Sequence, residues 1–146
     1  MKSHLLSALT CAGFLLLNFN NKPALACWCV YPPPSPRQEL KQSIAVFAGK
    51  VVDFRVQRSS QGYLERRVKF SVSKVWKGVS RKTVVVITGF GEGDCGCPFV
   101  KKGEYLLYAR AREGQKLLYT DVCMRTARLA AAKKDLQALG KGRTLP

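Results

Sequence analysis

The placing of its cysteines constrains this chain more than any other feature of the sequence. Six occur in 146 residues, and five of them fall as Cys27-Trp28-Cys29, Cys95-Gly96-Cys97 and Cys123. Two cysteines two apart on an extended segment cannot easily bond each other, so each looks elsewhere for a partner. An odd number leaves at least one thiol without an intrachain partner. Composition and spacing leave the pairing open between two disulfides with a spare thiol and a four-thiolate zinc site. The two-apart spacing is tighter than the usual zinc knuckle, which favours disulfides. Closing a loop of about 65 residues from the first pair to the second would stabilise the fold by a few kcal/mol in the chain-entropy model.

The sixth cysteine, Cys11, lies in a stretch of another kind. Lys2 gives a positive start, Leu5 to Leu17 is an almost wholly apolar run, and Ala24-Leu25-Ala26 places small residues where a signal peptidase reads. The expectation is a secretory signal over 1–26 and one folded domain over 27–146, soluble and exported to an extracellular or periplasmic space. The apolar run falls short of the roughly 20 residues of a membrane-spanning helix, and no later stretch is longer. A cysteine directly after the cut also admits a lipid anchor at Cys27; against it, the usual leucine three places before the cysteine is Ala24, with Leu25 one place late.

Past the Cys-Trp-Cys, Val30 to Arg37 carries Pro32, Pro33, Pro34 and Pro36 and reads as a rigid extended arm that cannot enter a helix. From Ile44 the even positions Val46, Ala48, Val52, Phe54 and Val56 are apolar with Asp53 and Arg55 on the other face, a half-buried strand. Ser59 to Gly62 is a turn, and Val68, Phe70, Val72 and Trp76 alternate with polar residues in a second strand of the hairpin. Thr83 to Thr88 is a β-branched run suited to a strand covered on both faces. The glycine-rich stretch Gly89 to Gly103 is a long loop, and Tyr105 to Ala109 with Leu117 to Thr120 makes a second hairpin around Glu113-Gly114. The period then changes: Leu129, Ala132, Leu136 and Leu139 mark a helix, with Thr126 available as N-cap and Gly140 as stop. The predicted class is α+β, mainly β: a five-stranded, disulfide-stabilised OB-type antiparallel barrel (the oligonucleotide/oligosaccharide-binding architecture) with a C-terminal helix.

Cys27-Trp28-Cys29, Val46-Phe47-Ala48-Gly49-Lys50-Val51, Val75-Trp76-Lys77-Gly78, Cys95-Gly96, Gly103 to Ala109 and Cys123 occur in an order that resembles the netrin-like module of the tissue inhibitors of metalloproteinases (TIMP). The resemblance spans nearly the whole of 27–146. It implies disulfides Cys27 to Cys95 and Cys29 to Cys123, with Cys97 as the spare thiol, and a helix packed on an OB-type barrel. It further implies a metalloprotease as partner, with Cys27 to Val30 as the contact segment. In such inhibitors the amine and carbonyl of the first residue, here Cys27, chelate the protease's zinc, and Trp28 would point into the pocket beyond it. Trp28 stands where animal members carry a small residue, which implies a deep, wide pocket. The rival expectation is that Cys-Trp-Cys only anchors the N-terminus, with Trp28 filling a groove of its own chain.

The formal net charge is +16, and only Lys2 and Lys22 of the basic residues lie in the leader. Arg66, Arg67 and Lys69 on the second strand, Arg81-Lys82 and Lys101-Lys102 at turns, and Arg125, Arg128, Lys133 and Lys134 near the end create a field that attracts polyanions. Export points to anionic polysaccharide or lipid headgroups and away from cytoplasmic nucleic acid. A secreted basic binding module without inhibitory activity is therefore the alternative function. No enzyme is expected and no cofactor: the one histidine, His4, lies in the leader, and no nucleophile–base pair or phosphate loop occurs.

Overall fold

The computed structural model describes residues 27–91, 93–112 and 117–146; the signal sequence expected over 1–26 and the turn expected at Glu113-Gly114 lie outside the described residues. The elements are α1 (Pro36–Gln42), β1 (Ala45–Arg58), β2 (Leu64–Lys77), β3 (Thr83–Thr88), β4 (Glu104–Ala111), β5 (Leu118–Tyr119), β6 (Ala127–Arg128), a 3-10 turn (Leu129–Ala131) and α2 (Lys133–Leu139). The protein is mainly β with a C-terminal helix. Pairing runs β1–β2–β3–β5–β4, and β4 returns to β1, so the sheet is ring-like. β6, a sixth strand where the sequence shows five, adds to β4.

The two faces of this sheet bury different sets of side chains. Inside the ring lie Phe47, Val51, Val68, Phe70, Val75, Val86, Phe99, Tyr105 and Leu107. Phe47, Phe70, Phe99 and Tyr105 meet edge to face in series, with centroids 5.9, 5.2 and 4.8 Å apart. Outside, Val46, Leu106 and Tyr108 are covered by Leu40 of α1 and by Leu129, Ala132, Leu136 and Leu139, the apolar stripe read from the sequence.

The structure corrects four expectations. The sheet is not antiparallel throughout: β3 and β5 pair in parallel, Val86 with Leu118 and Ile87 with Tyr119. The proline arm does enter a helix: Pro36 takes the first position of α1, where its missing N–H costs nothing. Ser35 Oγ accepts from Gln38 N at 3.3 Å while Gln38 Oε1 accepts from Ser35 N at 2.8 Å, a reciprocal cap. Lys77 Nζ closes the other end by donating to the carbonyls of Leu40 and Lys41, both at 2.9 Å.

The even-numbered face of β1 is not continuous, because the ladder to β2 shifts register at Val46/Phe47, Ala48/Gly49 and Val51/Asp53. The first two shifts put the extra residue, Trp76 and Ser73, on β2; only the third puts one, Val52, on β1 and turns the β1 side chains after it over. Phe47 and Val51 point inward, and past that bulge Phe54 takes their side, opposite Val68. Val52, Phe54 and Val56 emerge exposed rather than half-buried.

Thr126 is no N-cap. Its hydroxyl accepts from Tyr108 N at 3.0 Å and bonds Thr120 Oγ1 at 2.8 Å, and α2 starts seven residues later behind Ala132, which makes no side-chain cap. Gly140 does end the helix, at φ +69°. Another glycine is set by close approach: Gly78 has φ +66°, and a Cβ there would collide with the Ile44 carbonyl.

Candidate functional site

Residues 27–35 form no helix or strand; the body of the protein holds them at fixed points. Cys27 is bonded to Cys95 in the loop after β3, and Cys29 to Cys123 in the loop before β6, with Cα atoms 5.3 and 5.0 Å apart. The bonds close sequence separations of 68 and 94 residues, each worth about 4 kcal/mol in the chain-entropy model if taken alone. With these four cysteines paired, a four-thiolate zinc site has no ligands.

Two aspartates shape the loops that receive the bonds. The Asp94 carboxylate accepts from the N–H groups of Phe90, Gly91 and Gly96 at 2.6, 2.8 and 3.1 Å. Burial pushes its pKa up, but these backbone donors together outweigh burial and hold it below the ordinary 3.8. Next to it Cys95 sits at φ +62°, a left-handed conformation uncommon for any residue but glycine. The Cys95 carbonyl accepts from Val122 N at 2.9 Å, joining the two loops. Asp121 Oδ1 accepts from Cys123 N and Met124 N at 2.9 and 3.1 Å.

The proline arm is fixed by Arg125, which the sequence placed among the free surface cations. Its guanidinium donates to the Pro34 carbonyl at 3.0 Å and grips Asp135 of α2 through two bonds of 2.8 and 2.6 Å. The bonds to Asp135 raise its already high pKa, so the charge is permanent. Tyr108 donates its hydroxyl to the same carboxylate at 3.0 Å. At the other end of the arm the fully buried Glu39 pairs with Arg110 at 2.8 Å. None of these pairs was read from the sequence. For the two loops that receive the disulfides a signal was available in Asp94 and Asp121, one and two places before Cys95 and Cys123, since Asp side chains commonly organise turns through nearby backbone N–H groups.

What this framework presents is apolar. Trp28 is 97% exposed and Tyr31 90%, with Val30 also largely free; Trp28 does not fill a groove of its own chain. Grooves of about 480 and 470 Å³ flank the segment. One is walled by Trp28, Pro34, Glu39 and Arg110, the other by Tyr31, Val122, Arg125 and Asp135. Cys29, Val30, Pro33 and Cys123 border both, so the segment stands as a ridge between them.

Cys97 is set apart from this surface. It is buried and unpaired, and burial followed by the charge of Asp121 pushes its thiol up to about 12. Its backbone N–H donates to Thr88 Oγ1 at 2.8 Å. A thiol so protonated is a poor nucleophile. Among the described residues no group of three His, Cys, Asp or Glu side chains could hold a metal ion, and no helix is long and apolar enough to cross a membrane. Two disulfides fit an extracellular or otherwise oxidising environment. A comparison with protein-family models finds no match, and a search of curated proteins finds none either.

Proposed function

We propose that this chain is the precursor of an exported, TIMP-like inhibitor of a zinc metalloprotease, with its processed N-terminus as the reactive element. The observation that carries the reading is the exposure of Trp28, Val30 and Tyr31 on a segment tied down by two disulfides. Large apolar side chains left in water on a rigid ridge are what a protein partner buries, and a segment already ordered loses little entropy on binding. On this reading the ring of β1, β2, β3, β5 and β4 is an OB-type barrel, and its loops carry the inhibitory segment as a netrin-like module does.

Cleavage after Ala26 frees the α-amino group of Cys27. Such a group has a pKa of roughly 8, so zinc competes with the proton for its lone pair near neutrality. The amine and the Cys27 carbonyl oxygen close a five-membered chelate on the open position of a catalytic zinc and displace its water. The bond to Cys95 directs that pair of atoms, and Trp28 enters the pocket beyond the metal. A lipid at Cys27 would remove the amine and with it the activity.

The test is a processed protein with one alanine added before Cys27, assayed beside the native form against secreted zinc endopeptidases. The native form inhibits and the extended form does not, while both melt at the same temperature. Equal potency of the two excludes chelation. Intact mass of the exported protein, expected to begin at Cys27 with four oxidised cysteines, checks the premise.

A further inference from the structure

The outer surface of the ring is covered on one side only. Over β1 and β4 the helices bury Val46, Leu106 and Tyr108. Over the far half of β1 and its neighbours β2 and β3, outward positions carry charge. The ladder sets Arg55 opposite Arg67 and Asp53 opposite Lys69, and Lys69 lies opposite Val85 of β3. Directly opposed residues share a face, with Cβ atoms about 5 Å apart, and like charges so placed destabilise a sheet.

Nearby acids do not offset this arrangement. Arg55 reaches Asp53 only at 3.8 Å, with both side chains well exposed, a pair of little worth in water. Arg67 stands 4.0 Å from Glu65, whose oxygens are already taken by Arg112 at 2.6 Å and Gln57 at 2.7 Å. Arg67 Nε is buried with no hydrogen-bond partner. These side chains wall an open groove of about 370 Å³ with Gln57 and Val85. A second groove along β3 shares Val85 and has one basic residue, Arg81, so the basic side chains lie on β1 and β2 with one more at the turn before β3. Neither groove has a lining residue in common with the grooves beside the N-terminal ridge.

We infer that this face binds an anionic polysaccharide, whose sulfate or carboxylate groups complete the countercharge that Asp53, the groove's one carboxylate, supplies only in part to Arg55, Arg67 and Lys69. A linear chain fits a groove running across strands better than a flat lipid surface does. The groove holds a single aromatic, Phe54, with the Arg66 guanidinium over one face of its ring at 5.3 Å, and not the row of aromatic platforms on which the bases of a single strand stack. The disulfides place the chain where polysaccharide is the abundant linear polyanion. The site is independent of the N-terminal segment, so either can fail without the other.

The experiment measures binding of the processed protein to immobilised dextran sulfate over a range of salt. The variant Arg55→Gln with Lys69→Gln, both at exposed positions, binds about tenfold more weakly than the native protein, with a visibly shallower salt dependence, as loss of two ionic contacts requires. The charge-matched variant Lys133→Gln with Lys134→Gln on α2 binds like the native protein. Equal weakening by the two pairs would assign the attraction to the overall field and overturn the site. Tighter binding of the native protein to single-stranded oligonucleotide or to phosphatidylserine vesicles than to dextran sulfate would overturn the ligand class.

Discussion

The N-terminal ridge and the far end of the β1–β2 hairpin both turn apolar side chains to solvent, but different forces hold them there. Trp28, Val30 and Tyr31 sit on backbone without ladder hydrogen bonds, and two disulfides with the Arg125 bond to Pro34 keep it in place. Phe54 and Val56 sit on the ladder to β2, and the bulge at Val51/Asp53, which leaves Val52 without a ladder partner, decides which way they face. Covalent ties let a short irregular segment present large residues with almost none of its surface buried. A sheet reaches the same end only by changing register, and it then keeps partial cover: Phe54 stays 39% exposed where Trp28 is almost wholly free.

The sharpest way to break this contrast is to remove one tie. Replacing Cys29 and Cys123 together by alanine opens a separation of 94 residues and lowers stability by up to about 4 kcal/mol, read from the denaturant midpoint. Limited proteolysis then cuts within 27–35 while hydrogen exchange finds Val68 and Phe70 still protected; equal loss in both regions would mean that the ridge and the sheet are one cooperative unit. On the hairpin side, Phe54→Ala removes the ring beneath Arg66 and lowers stability by about 1 kcal/mol, leaving protease susceptibility of the N-terminal segment unchanged.

The smallest effect comes from acid. Because the folded-state pKa of Asp94 lies below the ordinary value, its contribution is complete above the unfolded pKa and lost as pH falls through the folded one. As pH falls below about 4 and on through the folded value, the amides of Phe90, Gly91 and Gly96 therefore lose protection relative to their intrinsic exchange rates, loosening the Cys95 anchor while the β1–β2 ladder is unmoved. No change in those amides down to full protonation would remove Asp94 from the support of the ridge.

How much of this was legible in the sequence depends on the range of the interaction. The apolar stripe Leu129, Ala132, Leu136 and Leu139 is local and repeats at helical spacing, so its burial on one surface follows. Val68 and Phe70 likewise alternate cleanly with polar neighbours and lie in the core. α1 was hidden by its prolines, although Ser35-Pro36 followed by Gln38 is a helix start once Pro36 is allowed the first position. The bulges of β1 carry no composition signal: Val46-Phe47-Ala48 is apolar whichever residue faces in, and the inner and outer coverings together bury all three. The Arg110–Glu39 pair joins residues 71 apart that only tertiary folding brings together, and Arg125 meets Asp135, ten residues on, only where α2 folds back, so their long side chains read as surface charge.

Cys97 gives the molecule a hazard that exists only before it is folded. Two residues from Cys95, it can compete for Cys27 or Cys29 while the chain is open, since a free thiol at ordinary pKa attacks and exchanges readily. Once Thr88, Phe99 and the Cys123 loop close around it, its pKa of about 12 leaves near pH 7 a thiolate fraction of only ~10⁻⁵. Sheet closure thus acts as a latch on sulfur chemistry: whichever bonds exist when the ring shuts are the ones the folded molecule keeps.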